Sequence, residues 1–413
     1  MAIANIISAI GNNSSVYPLI VRDCGIEVPT KIVMTYNQNK KEDKKIAYLA
    51  ARERFLDEYS VSAVWLGGIP VLTKLCDYLI KKSGYSPDVN LKLFNNDKLQ
   101  GVDYNIEKFK NLAPEEVKDL LKVKNNKKMF EKLLAGKFLI STSVPILFMG
   151  FIIPKLVFAS SAKKIAEQRK KNAQKSQMNF VRKDKFISFK GNWVQKAANF
   201  STQDKMAVTD GGYALGRVAT ARNKFESFDL AFKMAGMMFL NFVAPKWIEK
   251  GLDKTTGVHL DPIMLTDKKF VSAVRNNALS LPKSSSPEEL FKFIDNISNK
   301  DSYFVKYAQK FEKLKMLRSG VRDPRAYVDV KKLGNFRDDI VKFSDNVKNM
   351  SDTEFIKYVK KCRTLKTLNI LTNVALSSFL LAYVLPKCQF TVRKIVTGSD
   401  LEPGLASEKK KLD

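Results

Sequence analysis

Long apolar runs interrupt an otherwise strongly polar chain. The longest uncharged run covers residues 367–386, and a second covers 138–154 and continues with few charges to 159. At a rise of about 1.5 Å per residue, helices of this length nearly cross a hydrocarbon layer of about 30 Å. Two weaker runs lie at 230–248 and 59–80. The pattern predicts two to four apolar helices in a membrane-associated protein.

Elsewhere the apolar positions recur at helical spacing. Ser286 and Ser351 each precede a Glu by three residues, which is the signature of a capping box at the start of a helix. Pro114 followed by two glutamates predicts another helix start. Two stripes have a period near 3.6, and they comprise Phe304, Tyr307, Ala308, Phe311 and Leu314, and then Leu333, Phe336, Ile340, Phe343 and Val347. We therefore expect a mainly α protein with a soluble helical bundle, and only residues 31–36 (KIVMTY) favour a strand.

These patterns divide the chain into successive regions. The first two are an N-terminal region at 1–58 and a helical region with apolar segments at 59–159. The others are a basic linker with helices at 160–226, an apolar helix at 227–250, an amphipathic bundle at 251–350, an amphipathic helix leading into the apolar C-terminal helix at 351–387, and a basic tail at 388–413.

Prolines and glycines suggest where the apolar segments end. Pro154, Pro245 and Pro386 are each followed by Lys near the end of an apolar run, and Pro70 lies within a fourth run. Since proline lacks the N–H that a helix needs, we expect these residues to stop or kink the helices. Lys and Arg are equally frequent on both sides of 138–159, which favours at least one re-entrant segment there. Residues 212–217 (GYALGR) predict a turn.

The charge balance points to a polyanionic partner. The chain has 71 Lys and Arg against 42 Asp and Glu, a formal net charge of +29. Such an excess attracts anionic lipid headgroups or nucleic acid. The most basic stretch, 163–196, also contains aromatic residues, which suit either lipid headgroups or stacking on unpaired bases. The candidate lipid- or polyanion-binding residues are Lys163, Lys164, Arg169, Lys170, Lys171, Arg182, Lys183, Lys185 and Trp193.

Two features of the apolar runs suggest further contacts. Asp229 and Lys233 lie four residues apart and can pair on one helix face. If the helix is embedded, they are candidate intramembrane charges; on an ordinary amphipathic helix they are only a surface pair, which is the interpretation we slightly favour. Ala375, Ser378 and Ala382 form a small-residue face that predicts helix packing and a homo-oligomer.

The sequence contains little sign of catalytic chemistry. His259 is the only histidine, and the four cysteines form no CxxC pair. These facts argue against zinc sites, disulfide frameworks and His-based nucleophilic catalysis. We expect no metal, no cofactor and no enzymatic activity.

The sequence favours a basic α-helical protein that is integral to a membrane or tightly associated with it. We expect it to contact anionic lipid headgroups in a structural or scaffolding role. The alternatives are a transporter or channel for an anionic solute, and a soluble nucleic-acid-binding or structural protein whose apolar runs are core. The apolar runs predict a membrane location, in particular a bacterial inner membrane. The abundance of Lys and Asn is compatible with an AT-rich bacterial or phage genome.

Overall fold

The described part of the protein is helical. The computed structural model describes residues 2–12, 15–40, 44–95, 97–153, 156–157, 164, 200–219 and 224–397. Among these residues no strand forms, and only an isolated bridge pairs Met316 with Arg322. The prediction of a mainly α fold is confirmed.

One part of the molecule, here called the apolar body, comprises the long helices of residues 17–82, 127–152, 202–256 and 352–397. Its helices are α2 (Tyr17–Arg22), α3 (Val28–Asn39), α4 (Lys44–Ala63), α5 (Ile69–Lys82), α8 (Lys127–Leu147), α9 (Thr202–Ala219), α10 (Lys224–Phe242), α11 (Ala244–Thr256), α17 (Asp352–Phe379) and α18 (Leu385–Thr397). Several of these join end to end. Four continuous helices are long and apolar enough to cross a membrane, namely Lys44–Lys82, Lys127–Ile152, Ser227–Thr256 and Asp352–Val396.

A second part, here called the helical domain, is built from two insertions between these helices, residues 83–126 and 257–351. The insertions contribute α6 (Val102–Phe109), α7 (Pro114–Asn125), α12 (Pro262–Thr266), α13 (Lys268–Arg275), α14 (Pro287–Ile294), α15 (Tyr303–Phe311) and α16 (Val330–Val347). Short 3₁₀ turns lie at Leu91–Phe94 and Ile297–Asn299. The first insertion follows α5 and precedes α8, and the second follows α11 and precedes α17. The helical domain therefore adjoins one end of the apolar body, here called the near end; the opposite end is the far end.

Polar side chains join the two insertions into one unit. The Gln100 side chain exchanges two hydrogen bonds with the backbone of Val328, at 3.0 and 3.1 Å. Arg322 lies between the rings of Phe109 and Phe291 and donates to Asp295 at 2.7 Å. Residues far apart in sequence thus share one core.

The N-terminal helix α1 (Ala2–Gly11) also lies at the near end. Its Ser8 hydroxyl donates to the Asp261 carboxylate of the helical domain at 2.7 Å. Its last residue, Gly11, packs against Ile370 of α17, and a Cβ on Gly11 would lie 2.8 Å from the Ile370 side chain. The helix α1 therefore connects the helical domain with the apolar body.

The helices of the apolar body can be oriented from the residues that they bring together. Lys137 of α8 pairs with Asp77 of α5, so α5 and α8 run antiparallel from the near end. In contrast, α9 runs parallel to α8, because Phe200 packs on Phe138 and Gly212 lies against Ile146. The chain must therefore leave α8 at the far end and enter α9 at the near end.

Prolines widen the long helices instead of stopping them. Five-residue π turns at Asp23–Glu27, Val64–Gly68, Phe148–Ile152 and Leu380–Val384 each end two residues before a proline. A proline ring clashes with the carbonyl four residues earlier, and a π turn relieves such a clash while the helix continues. Pro70 and Pro386 therefore do not stop their helices, Pro245 follows a helix break at Val243, and Pro154 lies outside the described residues.

Two other local expectations differ from the structure, and a third is not tested by it. Residues 31–36 lie within helix α3, where Lys31 is buried against α4, so tertiary packing overrides the strand preference of the β-branched residues. Gly212 lies inside α9, because a residue without Cβ lets Ile146 approach closely. Residues 138–152 form one continuous helix that includes Pro145 and the following π turn. The end of the 138–159 segment lies largely outside the described residues, so the expected re-entrant turn stays a prediction.

Candidate functional site

Charged side chains buried in the apolar body form the candidate site. At the far end, Lys31 of α3 forms ion pairs with Glu27 of the first π turn and with Glu58 of α4, the latter at 3.5 Å. Arg54 contacts the same Glu58 through its Nε at 3.1 Å. Pro29 sets the π turn that carries Glu27, so a backbone irregularity positions one member of the cluster.

Two further helices contribute charges to this far-end cluster. Asp210 of α9 interacts electrostatically with Asp23, Glu27 and Lys31. Lys233 of α10 interacts with Glu58. The cluster therefore couples four helices and contains both signs of charge.

A second buried group lies at the far end between α10 and α18. The Asp229 carboxylate accepts two hydrogen bonds from Arg393, Nη2 to Oδ2 at 2.7 Å and Nε to Oδ1 at 3.1 Å. The Gln389 amide donates to Asp229 Oδ2 at 2.8 Å. All three side chains are buried, and the two-point contact fixes the relative position of the two helices.

Two other groups lie at the near end. Asp253 of α11 accepts from Lys366 at 2.5 Å and from Asn369 at 3.1 Å, both on α17. The second group is the pair between Asp77 of α5 and Lys137 of α8. Each group again joins two helices through a carboxylate and a cation.

This arrangement can hold helices in register. A carboxylate buried in an apolar surrounding is tolerated when a cation and hydrogen-bond donors face it. Among the described residues, no set of three or more His, Cys, Asp or Glu side chains is placed to hold a metal ion. The groups can therefore specify which helices pair.

The structure locates only part of the predicted site. Lys164 is exposed and helical. The other basic candidates lie outside the described residues, and they are Lys163, Arg169, Lys170, Lys171, Arg182, Lys183, Lys185 and Trp193. Asp229 is buried, so it is not a surface residue, and the hydrogen bonds shown for it come from α18.

The predicted small-residue face is used within the chain. Ser378 and Ala382 are buried, whereas Ala375 is exposed. Their packing role is met inside one molecule, and a homo-oligomer through this face stays a prediction.

The near-end groups and the Lys31 cluster were not anticipated from sequence. A usable signal exists, since Lys137, Asp253 and Lys366 flank apolar runs and Asp77 lies near the end of the run at 59–80. Their partners lie far away in the chain, so the pattern alone does not pair them.

An open groove of about 560 Å³ runs along the outer side of the α3 and α4 pair. Its walls are mainly apolar and aromatic, with Arg52 as the charged member, and they comprise Ile32, Val33, Tyr36, Tyr48, Ala51, Arg52, Phe55 and Leu56. Such walls offer few partners to a polar ligand.

The function must be inferred from the chain itself, because no protein-family model, no curated protein and no solved structure matches it.

Proposed function

We propose that the protein is a non-enzymatic integral membrane protein with a structural or scaffolding role. In this proposal the apolar body is embedded in a bilayer and the helical domain lies in water beside it. The single observation that carries the proposal is the distribution of exposed apolar side chains.

Large apolar side chains are exposed along the long helices of the apolar body. Val71 is 65% exposed, Trp247 66% and Phe379 53%. Further exposed members are Leu75, Leu79, Leu139, Ile140, Leu147, Phe148, Ile152, Leu368, Leu371 and Leu376. In residues 257–350, by contrast, only Ile297 is a large apolar residue with an exposed side chain. Exposed apolar surface of this extent is unfavourable in water and favourable in lipid.

The lengths of these helices support the same proposal. The four helices named above contain 39, 26, 30 and 45 residues. A hydrocarbon core needs about 20 residues, so each helix can cross it and extend into the headgroup region.

Anionic lipid is the partner that the charge favours. The net charge of +29 acts together with an apolar surface, and this combination is typical of proteins that lie against negatively charged leaflets. Nucleic-acid binding through the basic candidates stays a prediction. Anion transport stays a prediction, and its candidate residue Lys233 interacts electrostatically with Glu58.

Carbonate extraction of membranes that contain the full chain tests this proposal. An embedded protein remains in the membrane pellet after sodium carbonate at high pH and after high salt, since neither treatment removes it from hydrocarbon. Release by carbonate would contradict the proposal, and release by salt alone would indicate purely electrostatic attachment. Flotation with anionic or zwitterionic vesicles then tests the headgroup preference.

A further inference from the structure

Hydrogen bonds between side chains join α10–α11 to α17–α18 at two separate levels. Asn369 meets Asp253 at the near end, and Gln389 meets Asp229 at the far end. Between these levels the helices touch through Gly236 and Leu385, where a Cβ on the glycine would lie 2.3 Å from the leucine. Asn369 and Gln389 are about 20 residues apart on one continuous helix, which corresponds to about 30 Å.

A second helix set shows the same interval independently. On the continuous helix of α4 and α5, Glu58 belongs to the far-end cluster and Asp77 to a near-end pair. They are about 19 residues apart, or about 29 Å along the helix. Trp65 and Met149 pack in an apolar cluster between them.

The far-end groups of the two helix sets lie beside each other. Lys233, one turn after Asp229 on α10, interacts with Glu58 of α4. Each set also has its second polar group next to the helical domain. On these two helix sets the four groups therefore define two levels, separated by the thickness of a bilayer hydrocarbon core.

Resting on the proposed membrane function, we propose that these two levels mark the two boundaries of the hydrocarbon layer. Ionic groups are least costly where a helix leaves hydrocarbon, and there they also fix the helix register. The near boundary lies beside the helical domain, and the far boundary lies toward the connection of α3 to α4.

The exposed cations between the levels fit this placement. Lys74 lies one turn from Asp77, and Lys387 lies beside Gln389, so their flexible stems reach the headgroups. Lys246, Trp247 and Lys250 are exposed on α11, after the helix break at Val243. Tryptophan and lysine together are typical of the membrane interface.

Single cysteines on α17 and α18 test the boundaries. Leu368, Phe379 and Ile395 are exposed, so their replacement by Cys leaves the core intact. The native Cys24, Cys76, Cys362 and Cys388 are free and would be replaced first. Each variant is reconstituted as the full chain, labelled with a fluorophore and quenched by lipids that carry nitroxides at defined depths.

We expect the label at 379 to be quenched most by nitroxides near the acyl-chain ends, because Phe379 lies midway between the levels. The label at 368 should respond most to headgroup-level nitroxides, and the label at 395 to aqueous iodide. A second series at Tyr48, Val71 and Leu79 should place only Val71 within hydrocarbon.

Flotation of the same samples separates the two proposals. If the protein floats with vesicles but the deepest label is not between the levels, the boundary assignment is wrong and the membrane function stands. If the protein does not float, the membrane function itself is wrong.

Discussion

At the residue scale, sequence spacing can identify a charged residue in an apolar helix but not the residue with which it pairs. The spacing of Asp229 and Lys233 indicated a pair on one helix. In the structure Asp229 receives hydrogen bonds from Arg393, which is 164 residues away, and Lys233 interacts electrostatically with Glu58. The sequence thus identifies a charge in an apolar run, but its partner depends on how distant helices pack.

Replacing Asp229 by Ala should destabilise the protein by about 3–5 kcal/mol, because Arg393 would be left buried without its carboxylate. Thermal unfolding in detergent measures the loss. The double replacement Asp229→Leu with Arg393→Met should recover much of it, since no charge then remains buried. A matched change at the exposed pair of Glu115 and Lys118 should cost no more than about 1 kcal/mol. Equal losses at both pairs would contradict the structural role assigned to Asp229.

Gly11 should tolerate no larger side chain. A Cβ there meets three atoms of Ile370 at 2.8–2.9 Å, and a β-branched side chain yields little. We expect Gly11→Ala to cost about 1–3 kcal/mol through overpacking. Gly136→Ala on α8 is the control, because nothing lies within 4 Å of its Cβ, and it should be neutral or slightly stabilising. Hydrogen exchange of α1 and thermal unfolding would show whether the two variants differ.

At the element scale, helix starts could be predicted because their signals are local. Ser351 and Glu354 form the full capping box, and the Ser286 hydroxyl accepts from the Glu289 N–H. The π turns could not be predicted in the same way. Proline removes one backbone hydrogen bond of the helix. Whether the helix then ends or continues through a π turn depends on the tertiary contacts on either side of the proline, such as those of Glu58 and Asp77.

The stability of helix α13, which lies outside the apolar body, should depend on pH through its N-cap residue Asp267. The Asp267 carboxylate accepts from the backbone N–H of Lys269, from Lys306 at 2.9 Å and from Tyr307 at 2.7 Å. Although burial alone raises the pKa of Asp267, these hydrogen bonds outweigh it and lower the pKa to about 2.

The stabilisation from this cap is present above the pKa of an unfolded Asp, about 3.9, and is lost as pH falls toward about 2. Hydrogen exchange of α13 should therefore accelerate, relative to the intrinsic rate, between those values. Asp267→Asn keeps a capping oxygen but removes the titrating carboxyl group. In this variant the exchange rate of α13, relative to the intrinsic rate, should not change over the same pH range. Unchanged protection of the parent protein down to pH 2 would contradict the assignment.

At the scale of the whole molecule, the apolar helices could be predicted but their arrangement could not. The four long helices contain the four apolar runs recognised in the sequence. The helical domain, however, combines two insertions, and contacts such as Gln100 with Val328 join positions 228 residues apart. No local pattern specifies such pairs.

Because α8 and α9 run parallel, the segment between them must connect opposite ends of the apolar body. Residues 153–201 begin at the far end and finish at the near end, yet 163–196 contain eleven cations, which hydrocarbon does not accept readily. The structure predicts that cysteines at Asp204, in the first turn of α9, and at Lys224, after its end, react from opposite membrane sides. Asp204 should then react from the side of Glu115. Reaction of both cysteines from one side would show that α9 does not cross the hydrocarbon layer. Residues 163–196 would then not have to cross from the far side of the membrane to the near side.

The central claim is that the exposed apolar side chains of the body face lipid, and tryptophan quenching tests it most directly. Trp65 is buried and donates to the Met206 carbonyl, whereas Trp247 is exposed. With Trp193 replaced by Phe, variants that keep only one of these two would be reconstituted in vesicles with lipids brominated near the headgroup end of the acyl chains. We expect the brominated lipids to quench Trp247 strongly and Trp65 little. Quenching of Trp247 by aqueous iodide, with no effect of the brominated lipids, would contradict this claim.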